Sequence, residues 1–252
     1  MNLVSGPATY RIYRWLWASL DWLFPPRCAG CDTPGNRWCP DCVRKTTRLP
    51  AGIGADEEII CPSCGAPVKL PGFCVRCQET PPAYQAVRSW GEFGGPVRNA
   101  IHQLKYKRDI ALGDALGQHL IDLLRVLGWE VDIVVPIPLA AARRAERGYN
   151  QAALLARPIA LALGLDYSPG AVLRVRETQT QVGLNLIERQ KNVKDAFRGN
   201  TKLVRGKSIL LVDDVMTTGA TLNACANALQ AAGAVHVFAL TLARAIADPE
   251  RR

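Results

Sequence analysis

The sequence lacks any run of about 20 uninterrupted apolar residues, the length that a membrane-spanning helix needs. Its first apolar stretch, TYRIYRWLWASLDWLF, is broken by Arg11, Arg14 and Asp21, and no small-residue cleavage site of a secretory signal follows it. We therefore expect residues 1–27 to form an amphipathic helix docked on the domain behind it, with association at a membrane surface as the alternative. A cytoplasmic location is the expectation.

Signatures of two common nucleotide-binding folds are also lacking. The lysine of a GxxxxGK[ST] loop is absent, and so is the GxGxxG spacing of dinucleotide-binding folds. Low-complexity segments are missing as well, and 48 % apolar with 21 % charged residues is ordinary for a globular protein. Disordered and fibrous classes are therefore excluded. The formal net charge of +9 indicates an anionic partner.

Cysteine, in contrast, is abundant and regularly spaced. Two residues between thiolates let one turn present both sulfurs to a tetrahedral zinc ion, and a reducing cytoplasm disfavours disulfides. We predict two structural zinc ions, with redox dithiols or an iron–sulfur cluster as the alternatives. Eight thiolates and two zinc ions would lower the net charge of +9 by four, to +5. The eight predicted ligands form four CxxC pairs: Cys28, Cys31, Cys39, Cys42, Cys61, Cys64, Cys74 and Cys77.

The order in which the pairs share the metal ions follows from chain entropy. Sequential sites, one built from the first two pairs and one from the last two, close the shortest loops and cost the least entropy. Interleaved sites are the alternative. The ninth cysteine, Cys225, lies at helical spacing with Leu222 and Leu229, so we expect it to be a buried apolar residue without chemistry.

From residue 83 onward, apolar strands alternate with amphipathic helices. This pattern predicts an α/β fold with a mostly parallel sheet flanked by helices. The expected organisation is an N-terminal helix at 1–27, a zinc-binding region at 28–82 and a larger domain at 83–252. We expect strands near 84–90, 131–138, 171–177, 207–215 and 235–243, and helices near 95–106, 109–127, 150–164 and 218–233.

The stretch ILLVDDVMTTGAT, residues 209–221, is the candidate ligand site. ILLV reads as a buried strand, and ligands of open α/β sheets bind outside the carboxyl ends of strands, so Asp213 and Asp214 should face a crevice. Residues 217–221 then turn into a helix, whose free N–H groups, with Gly219 and the threonine hydroxyls, suit a phosphate. Two carboxylates would repel that phosphate, so we expect them to bind sugar hydroxyls or a divalent metal. A phosphorylated sugar fits both halves; a solvated strand end followed by a capped turn is the alternative.

VDDVMTTGAT resembles the signature of type I phosphoribosyltransferases, which bind phosphoribosyl pyrophosphate (PRPP). Together with the CxxC pairs, LKYKRD, VPIPLAAARRAERGYNQ and TQTQVGLNLIERQKNV, it resembles more closely the ComF family, also called ComFC or GntX. The resemblance implies a type I phosphoribosyltransferase-like fold in which the carboxylates hold the ribose and the loop holds the 5′-phosphate. The turn after VVPIP would face pyrophosphate and Mg²⁺, near three arginines whose guanidinium forks suit phosphate oxygens. A solvent-exposed basic helix is the alternative for these arginines. The expected PRPP-binding residues are Asp213, Asp214, Val215, Met216, Thr217, Thr218, Gly219, Ala220, Thr221, Arg143, Arg144, Arg147 and Lys105.

Two further segments have less certain roles. The cluster Lys105, Lys107 and Arg108 either binds phosphate or complements a helix dipole. Residues 178–193 lie where such enzymes carry a mobile hood, and a plain exposed loop is the alternative. Polar groups that a hood could offer to a ligand are Thr178, Gln179, Gln181, Arg189 and Asn192.

Three functions are compatible with these motifs. ComF relatives are associated with natural transformation and DNA metabolism, so the favoured function is PRPP binding in a protein that handles single-stranded DNA, with DNA-uptake proteins as further partners. The alternatives are an active phosphoribosyltransferase of unknown acceptor and a regulator that senses PRPP without turnover. Steep loss of affinity with salt would identify DNA binding, whereas PRPP binding should require Mg²⁺.

Overall fold

A computed structural model of the chain describes residues 25–54, 58–107, 109–176 and 195–246, together with residues 8, 10–12, 15, 17 and 21. The predicted hood at 178–193, Arg108 and most of the predicted N-terminal helix lie outside these residues. The described part of that helix is helical, and its Tyr10 is buried and donates to Oε1 of Gln118 at 3.1 Å. Of the helices that are described, none has both the length and the apolar character to cross a bilayer.

The cysteine-rich region contains two short helices, α1 (Pro40–Arg44) and α2 (Val75–Glu79). Cys39 is the N-cap residue of α1 and Cys74 that of α2. Each helix therefore begins inside a CxxC pair, which places one cysteine at the cap and the other in the first turn. The two halves of the region repeat the same arrangement.

The remainder of the described chain has the predicted α/β architecture. Its strands are β1 (Ala86–Glu92), β2 (Ile133–Pro136), β3 (Asp166–Tyr167), β4 (Val172–Arg174), β5 (Phe197–Gly199), β6 (Ser208–Met216) and β7 (His236–Arg244). Its helices are α3 (Gly95–Tyr106), α4 (Ile110–Leu127), α5 (Ala141–Arg147), α6 (Gln151–Leu163), α7 (Thr201–Val204) and α8 (Ala220–Ala231). Five strands form a parallel sheet in the order β1-β7-β6-β2-β3.

One predicted strand does not join this sheet. Residues 171–177 contribute β4, which pairs antiparallel with β5 in a separate two-stranded sheet. Val172 and Phe197 of this pair are buried in the same apolar cluster as Leu229 of α8. The pair therefore packs its apolar residues against α8 rather than extending the parallel sheet.

Local sequence explains where the long helices begin and end. Asp109 caps α4 by accepting a hydrogen bond from the backbone N–H of Leu112 at 3.2 Å, and Gly128 ends the helix with a left-handed φ of 62°. Within α4, leucines four residues apart are fully buried against the sheet. Asn150 caps α6 by accepting from the N–H of Ala152 at 3.1 Å. The side chain of Asn150 thus fixes the start of α6.

The outer edge of β1 is covered by the cysteine-rich region. The backbone N–H of Val87 donates to the carbonyl of Ser63 at 2.8 Å, and that of Glu92 donates to Thr47 at 2.9 Å. Buried Arg88 donates to the carbonyls of Ala51 and Pro62. An uncovered edge strand is a template for aggregation, so the cysteine-rich region protects the sheet.

Gly199→Ala is expected to destabilise the protein by about 1–3 kcal/mol, because an added Cβ overpacks a closed contact. A Cβ at this position would lie 2.4 Å from the carbonyl oxygen of Ala228 and 2.7 Å from the Cβ of Ala232. Urea denaturation measures the loss, and Gly170→Ala is the matched control, since its Cβ would meet nothing closer than 3.9 Å. Equal stability of the two variants would contradict the tight packing of β5 on α8.

Candidate functional site

The candidate site lies where β6 and β7 extend beyond β2. β2 ends at Pro136, which is opposite Val212, whereas β6 stays paired with β7 as far as Met216. β6 thus ends at Met216, one residue after the predicted end of the strand, and β7 has the same length. Asp213 and Asp214 remain beyond the end of β2 and are paired on one side only.

The two carboxylates have different surroundings. Side chains at successive strand positions start toward opposite faces, yet the carboxyl groups of Asp213 and Asp214 lie within hydrogen-bond reach of each other. Asp214 is only 4 % exposed and forms an ion pair with Nζ of Lys105, which belongs to the last turn of α3. Asp213 is half-buried, and its Oδ1 accepts a hydrogen bond from the backbone N–H of Asp214 at 2.9 Å.

The charges of this pair are unequal as a result. Burial, and then the neighbouring charge of Asp214, raise the pKa of Asp213 well above its usual value. Burial alone would also raise the pKa of Asp214, but the Lys105 ammonium, followed by hydrogen bonds from Asp213 and Gln151, outweighs it and holds the pKa below its usual value. Asp214 is thus the ionised member of the pair.

A chain of polar contacts joins Asp214 to the arginine-bearing helix α5. Gln151, which is 6 % exposed, contacts Asp214 and accepts a hydrogen bond from Nη1 of Arg147 at 3.0 Å. The guanidinium of Arg147 in turn lies over the ring of Tyr106, 5.1 Å from its centroid. Residues from α3, α5, α6 and β6 therefore meet at one place.

The three predicted arginines are not equivalent in this arrangement. Arg147 is half-buried and belongs to the polar chain, whereas Arg144 is exposed and Arg143 is half-buried near the start of α5. Neither Arg143 nor Arg144 forms a salt bridge within the described ranges. Both remain available to an anion approaching the turn after β2.

The predicted phosphate loop has the expected shape. Residues 217–219 follow β6 directly, and α8 begins at Ala220. Gly219 has a φ of 76°, in the left-handed region that favours glycine, and Oγ1 of Thr218 accepts from the N–H of Ala220 at 3.3 Å. The loop therefore turns sharply into the first turn of α8, where backbone N–H groups face outward.

The other predicted loop residues differ in exposure. Thr217 is exposed and Thr221 is half-buried, so both hydroxyls lie at or near the surface. Met216 and Ala220 are buried in the apolar cluster beneath the loop, and Val215 is half-buried. Met216 and Ala220 can thus contribute only backbone groups to a ligand.

Sequence reasoning gave no role to Tyr149, Asn150 and Gln151, although it used RGYNQ as a family marker. The hydroxyl of Tyr149 donates to the carbonyl of Leu104 at 2.6 Å, and Nδ2 of Asn150 donates to the carbonyl of Ile137 at 2.9 Å. These contacts fix the turn after β2 against α3. An apolar helix that begins with three polar residues in a row was the available signal.

The eight paired cysteines form two clusters in the sequential arrangement. Within each cluster, the four Sγ atoms lie within 4.8 Å of one another: Cys28, Cys31, Cys39 and Cys42 in the first, and Cys61, Cys64, Cys74 and Cys77 in the second. Three of the Sγ–Sγ distances are 3.5–3.6 Å, close to the ~3.8 Å that tetrahedral zinc with Zn–S bonds of about 2.3 Å requires. The clusters are consistent with two structural zinc sites.

Hydrogen bonds to sulfur support the same conclusion. Contacts with the side chain and backbone of Thr33 lower the pKa of Cys31 to about 6. Burial would raise the pKa of Cys61, but hydrogen bonds from backbone N–H groups outweigh it and lower the pKa to about 7. Burial, and then the neighbouring thiols, raise the pKa of Cys42 and of Cys77, so each cluster combines a readily ionised sulfur with one that would lose its proton to a bound metal. Cys225 is fully buried in α8 and belongs to neither cluster, as predicted.

Comparisons with known proteins agree with this architecture. The family model described as "Phosphoribosyl transferase domain" matches residues 103–252, and the one described as "Double zinc ribbon domain" matches residues 19–78. The DNA utilization protein YhgH of Salmonella typhimurium is 36 % identical over 193 residues, which cover 74 % of this chain and 85 % of that protein.

Two more distant relatives are named for competence. Competence protein F of Haemophilus influenzae is 28 % identical over 229 residues, covering 83 % of this chain and 91 % of that protein. Competence protein ComFC of Bacillus subtilis is 27 % identical over 219 residues, covering 84 % and 85 %. The chain therefore belongs to the ComF family, with a double zinc ribbon domain preceding a phosphoribosyl transferase domain.

Proposed function

We propose that the protein binds PRPP with Mg²⁺ and acts in DNA uptake or DNA metabolism through the handling of single-stranded DNA. The observation that carries the first part is the placement of an ionised carboxylate, a glycine-containing loop and a helix start at one edge of the sheet. The names of relatives, DNA utilization protein and competence protein, support the second part.

Each part of PRPP has a matching group in this site. Asp214 would accept hydrogen bonds from a ribose hydroxyl, since Lys105 keeps it ionised. The N–H groups at the start of α8 would bind the 5′-phosphate, and Arg143, Arg144 and Arg147 would face the pyrophosphate. The protein thus supplies donors to the anionic ends and acceptors to the sugar between them.

The donor set also fits a magnesium ion that arrives with the substrate. Mg²⁺ prefers oxygen ligands and is commonly held by one or two carboxylates together with substrate phosphates. Asp213 forms no ion pair within the described part of the chain, and a bound Mg²⁺ would favour loss of its proton, so the carboxylate formed in this way would hold the ion beside the pyrophosphate oxygens. When bound, Mg²⁺ would neutralise charge that develops on a departing pyrophosphate.

Calorimetric titration of the zinc-loaded protein with PRPP, with and without Mg²⁺, tests the ligand assignment. We expect PRPP to bind in the presence of Mg²⁺, with a much lower affinity when Mg²⁺ is left out. Pyrophosphate release in the same samples distinguishes an active transferase from a protein that binds PRPP without turnover. A protein that binds no PRPP in the presence of Mg²⁺ would refute the proposal.

An exposed aromatic ring beside the basic residues supports binding of single-stranded DNA. Tyr106 is 56 % exposed, and its ring lies 4.7 Å from that of His102 and 5.1 Å from the guanidinium of Arg147. Lys105 and Lys107 flank it along the chain. Aromatic rings next to cations bind single strands by stacking on bases while the cations contact phosphates.

Tyr106→Ala is expected to weaken binding of single-stranded DNA about tenfold, since stacking on one base is worth roughly 1–3 kcal/mol. Because no charge is removed, the dependence of affinity on salt should stay unchanged. Tyr106→Phe keeps the ring and is the matched control, while Arg144→Ala should lower the salt slope by about 0.7. Fluorescence anisotropy at several salt concentrations measures both quantities. Unchanged affinity in Tyr106→Ala would exclude this ring from the DNA site.

A further inference from the structure

The second zinc ribbon reaches the predicted phosphate loop. Arg76, in α2 between two cysteines of the second cluster, has its Nη2 atom 3.8 Å from the position that a Cβ on Gly219 would occupy. The hydroxyl of Tyr84 lies 3.3 Å from the same position. A guanidinium from the zinc-binding region is therefore in contact range of a ligand seated on this loop.

Arg76 and the loop share one cavity. Its volume is about 750 Å³, and its lining includes Thr218, Gly219 and Ala220 from the phosphate loop and the start of α8, together with Arg76 and Thr80 from the zinc-binding region. Part of the cavity follows the exposed side of α8 as far as Ala231. The space beside the phosphate loop is thus bounded by both domains.

The position of Arg76 is fixed by the metal cluster and its anchors. Nη1 of Arg244, at the end of β7, donates to the carbonyl of Cys64, and Nη1 of Arg88 donates to that of Pro62. Cys77, one residue after Arg76, is buried within the cluster. These contacts hold the second ribbon against the side of β1 and the carboxyl end of β7.

The charge of Arg76 is not balanced by a neighbouring carboxylate. Glu79 and Asp195 also line the cavity, yet neither forms a salt bridge with Arg76, and no other acidic residue in the described ranges does so. Its half-buried guanidinium would therefore gain most from an anion on the loop.

We propose that Arg76 is a phosphate-binding residue of the ligand site, so that the second zinc ribbon forms one wall of that site. The proposal rests on the proposed function, because it names the 5′-phosphate of a phosphorylated ribose as the group that Arg76 contacts. Arg76 donates to this phosphate from one side while the N–H groups of α8 donate from the other. A phosphate held between them is bound by both domains at once.

Titration of the zinc-loaded full chain with ribose 5-phosphate and, separately, with pyrophosphate tests the proposal. Arg76→Met, which keeps much of the apolar stem and removes the charge, should lower the affinity for ribose 5-phosphate about tenfold or more, the effect of one charge-assisted hydrogen bond. Pyrophosphate should bind as in the wild type, since its expected position is at α5. Arg76→Lys should recover part of the lost affinity.

Lys69→Ala is the control for general electrostatics, because Lys69 is an exposed cation of the same ribbon. It should leave both affinities unchanged, and all variants should keep two zinc ions per chain. Equal affinity of the wild type and Arg76→Met for ribose 5-phosphate would overturn the proposal, as would equal losses for both ligands. If Arg76→Met lost zinc, Arg76→Gln would replace it as the charge-free variant. Wild-type affinity of a zinc-loaded Arg76→Gln for ribose 5-phosphate would overturn the proposal too. A wild-type protein that bound neither ligand would instead refute the proposed function.

Discussion

Asp213→Asn is expected to abolish PRPP binding while making the folded protein more stable at neutral pH. The carboxylate of Asp213 is the group that would hold Mg²⁺ beside the pyrophosphate, and an amide is a poor ligand for that ion. Loss of a charged ligand contact of this kind costs roughly 3 kcal/mol of binding free energy, which lowers the affinity by about 100-fold. The variant should therefore show no measurable PRPP binding in calorimetry.

The gain in stability follows from the raised pKa of Asp213. Burial and the charge of Asp214 make the ionised form of Asp213 costly in the folded state. Asparagine removes that charge and keeps an oxygen for the N–H of Asp214. Each unit of pKa difference between folded and unfolded states is worth about 1.4 kcal/mol, which corresponds to a few degrees in melting temperature for a chain of this size.

The pH dependence of this gain has a definite sign. A carboxyl group whose pKa is higher in the folded state destabilises the fold at pH values above its folded pKa, and the penalty disappears below the unfolded value of about 3.9. The advantage of Asp213→Asn over the wild type should therefore be largest at neutral pH and shrink as the pH falls. Thermal unfolding at pH 7, 6 and 5 measures it. A wild type more stable than Asp213→Asn at pH 7 would contradict the buried, charge-repelled position.

Asp214→Asn is the matched comparison and should behave in the opposite way in stability. The pKa of Asp214 is depressed in the folded state, so its ion pair stabilises the fold above about pH 3.9 and the contribution is lost as the pH falls through the folded pKa. Breaking a fully buried pair costs about 3–5 kcal/mol, and since the Lys105 side chain keeps 24 % exposure we expect about 2 kcal/mol. Both variants should lose PRPP binding, while only Asp214→Asn melts at a lower temperature.

The contrast between these carboxylates shows how far the sequence alone could reach. The motif VDDVMTTGAT predicted a phosphate loop at the end of a buried strand, because apolar runs, glycines and helix starts can be recognised within a short stretch of sequence. It could not separate Asp213 from Asp214, since their difference arises from Lys105, located 109 positions earlier in the chain, and from Gln151. Long-range pairing of buried charges has no local signal.

The same distinction applies to the zinc ribbons. Spacing predicted both the ligands and the sequential sites, because short loops cost the least entropy. It gave no indication that the ribbons cover β1 or that Arg76 reaches Gly219, since these contacts depend on how two separately folded regions dock. β3, β5 and α7 were also missed, because elements of two to four residues are too short to show a periodic pattern.

Removal of zinc is expected to have the largest structural effect of any treatment. Binding of a structural zinc ion contributes about 10–16 kcal/mol to folding in small zinc domains, more than the total stability of most proteins. The two ribbons have few buried apolar side chains apart from the cysteines themselves. Cys42→Ala in the first cluster and Cys77→Ala in the second should each reduce the zinc content from two ions to one and unfold the corresponding ribbon.

The second cluster should matter more for the rest of the molecule. Its ribbon supplies the carbonyl that accepts from the N–H of Val87, and it receives hydrogen bonds from Arg88 and Arg244. Unfolding of this ribbon would uncover the edge of β1 and leave the buried Arg88 without part of its partners. We therefore expect Cys77→Ala to aggregate, whereas Cys42→Ala should stay soluble for longer.

Cys225→Ala is the matched control, because this cysteine is fully buried and belongs to neither cluster. It should keep two zinc ions per chain and stay monodisperse, with only the modest loss of stability that follows from removing one buried sulfur. Metal analysis measures the zinc content, circular dichroism the secondary structure and light scattering the aggregation state, each before and after treatment with a chelator. If a metal-free chain kept its circular dichroism spectrum and its solubility, the ribbons would not depend on zinc for folding. The claim that they protect the edge of β1 from aggregation would then be wrong.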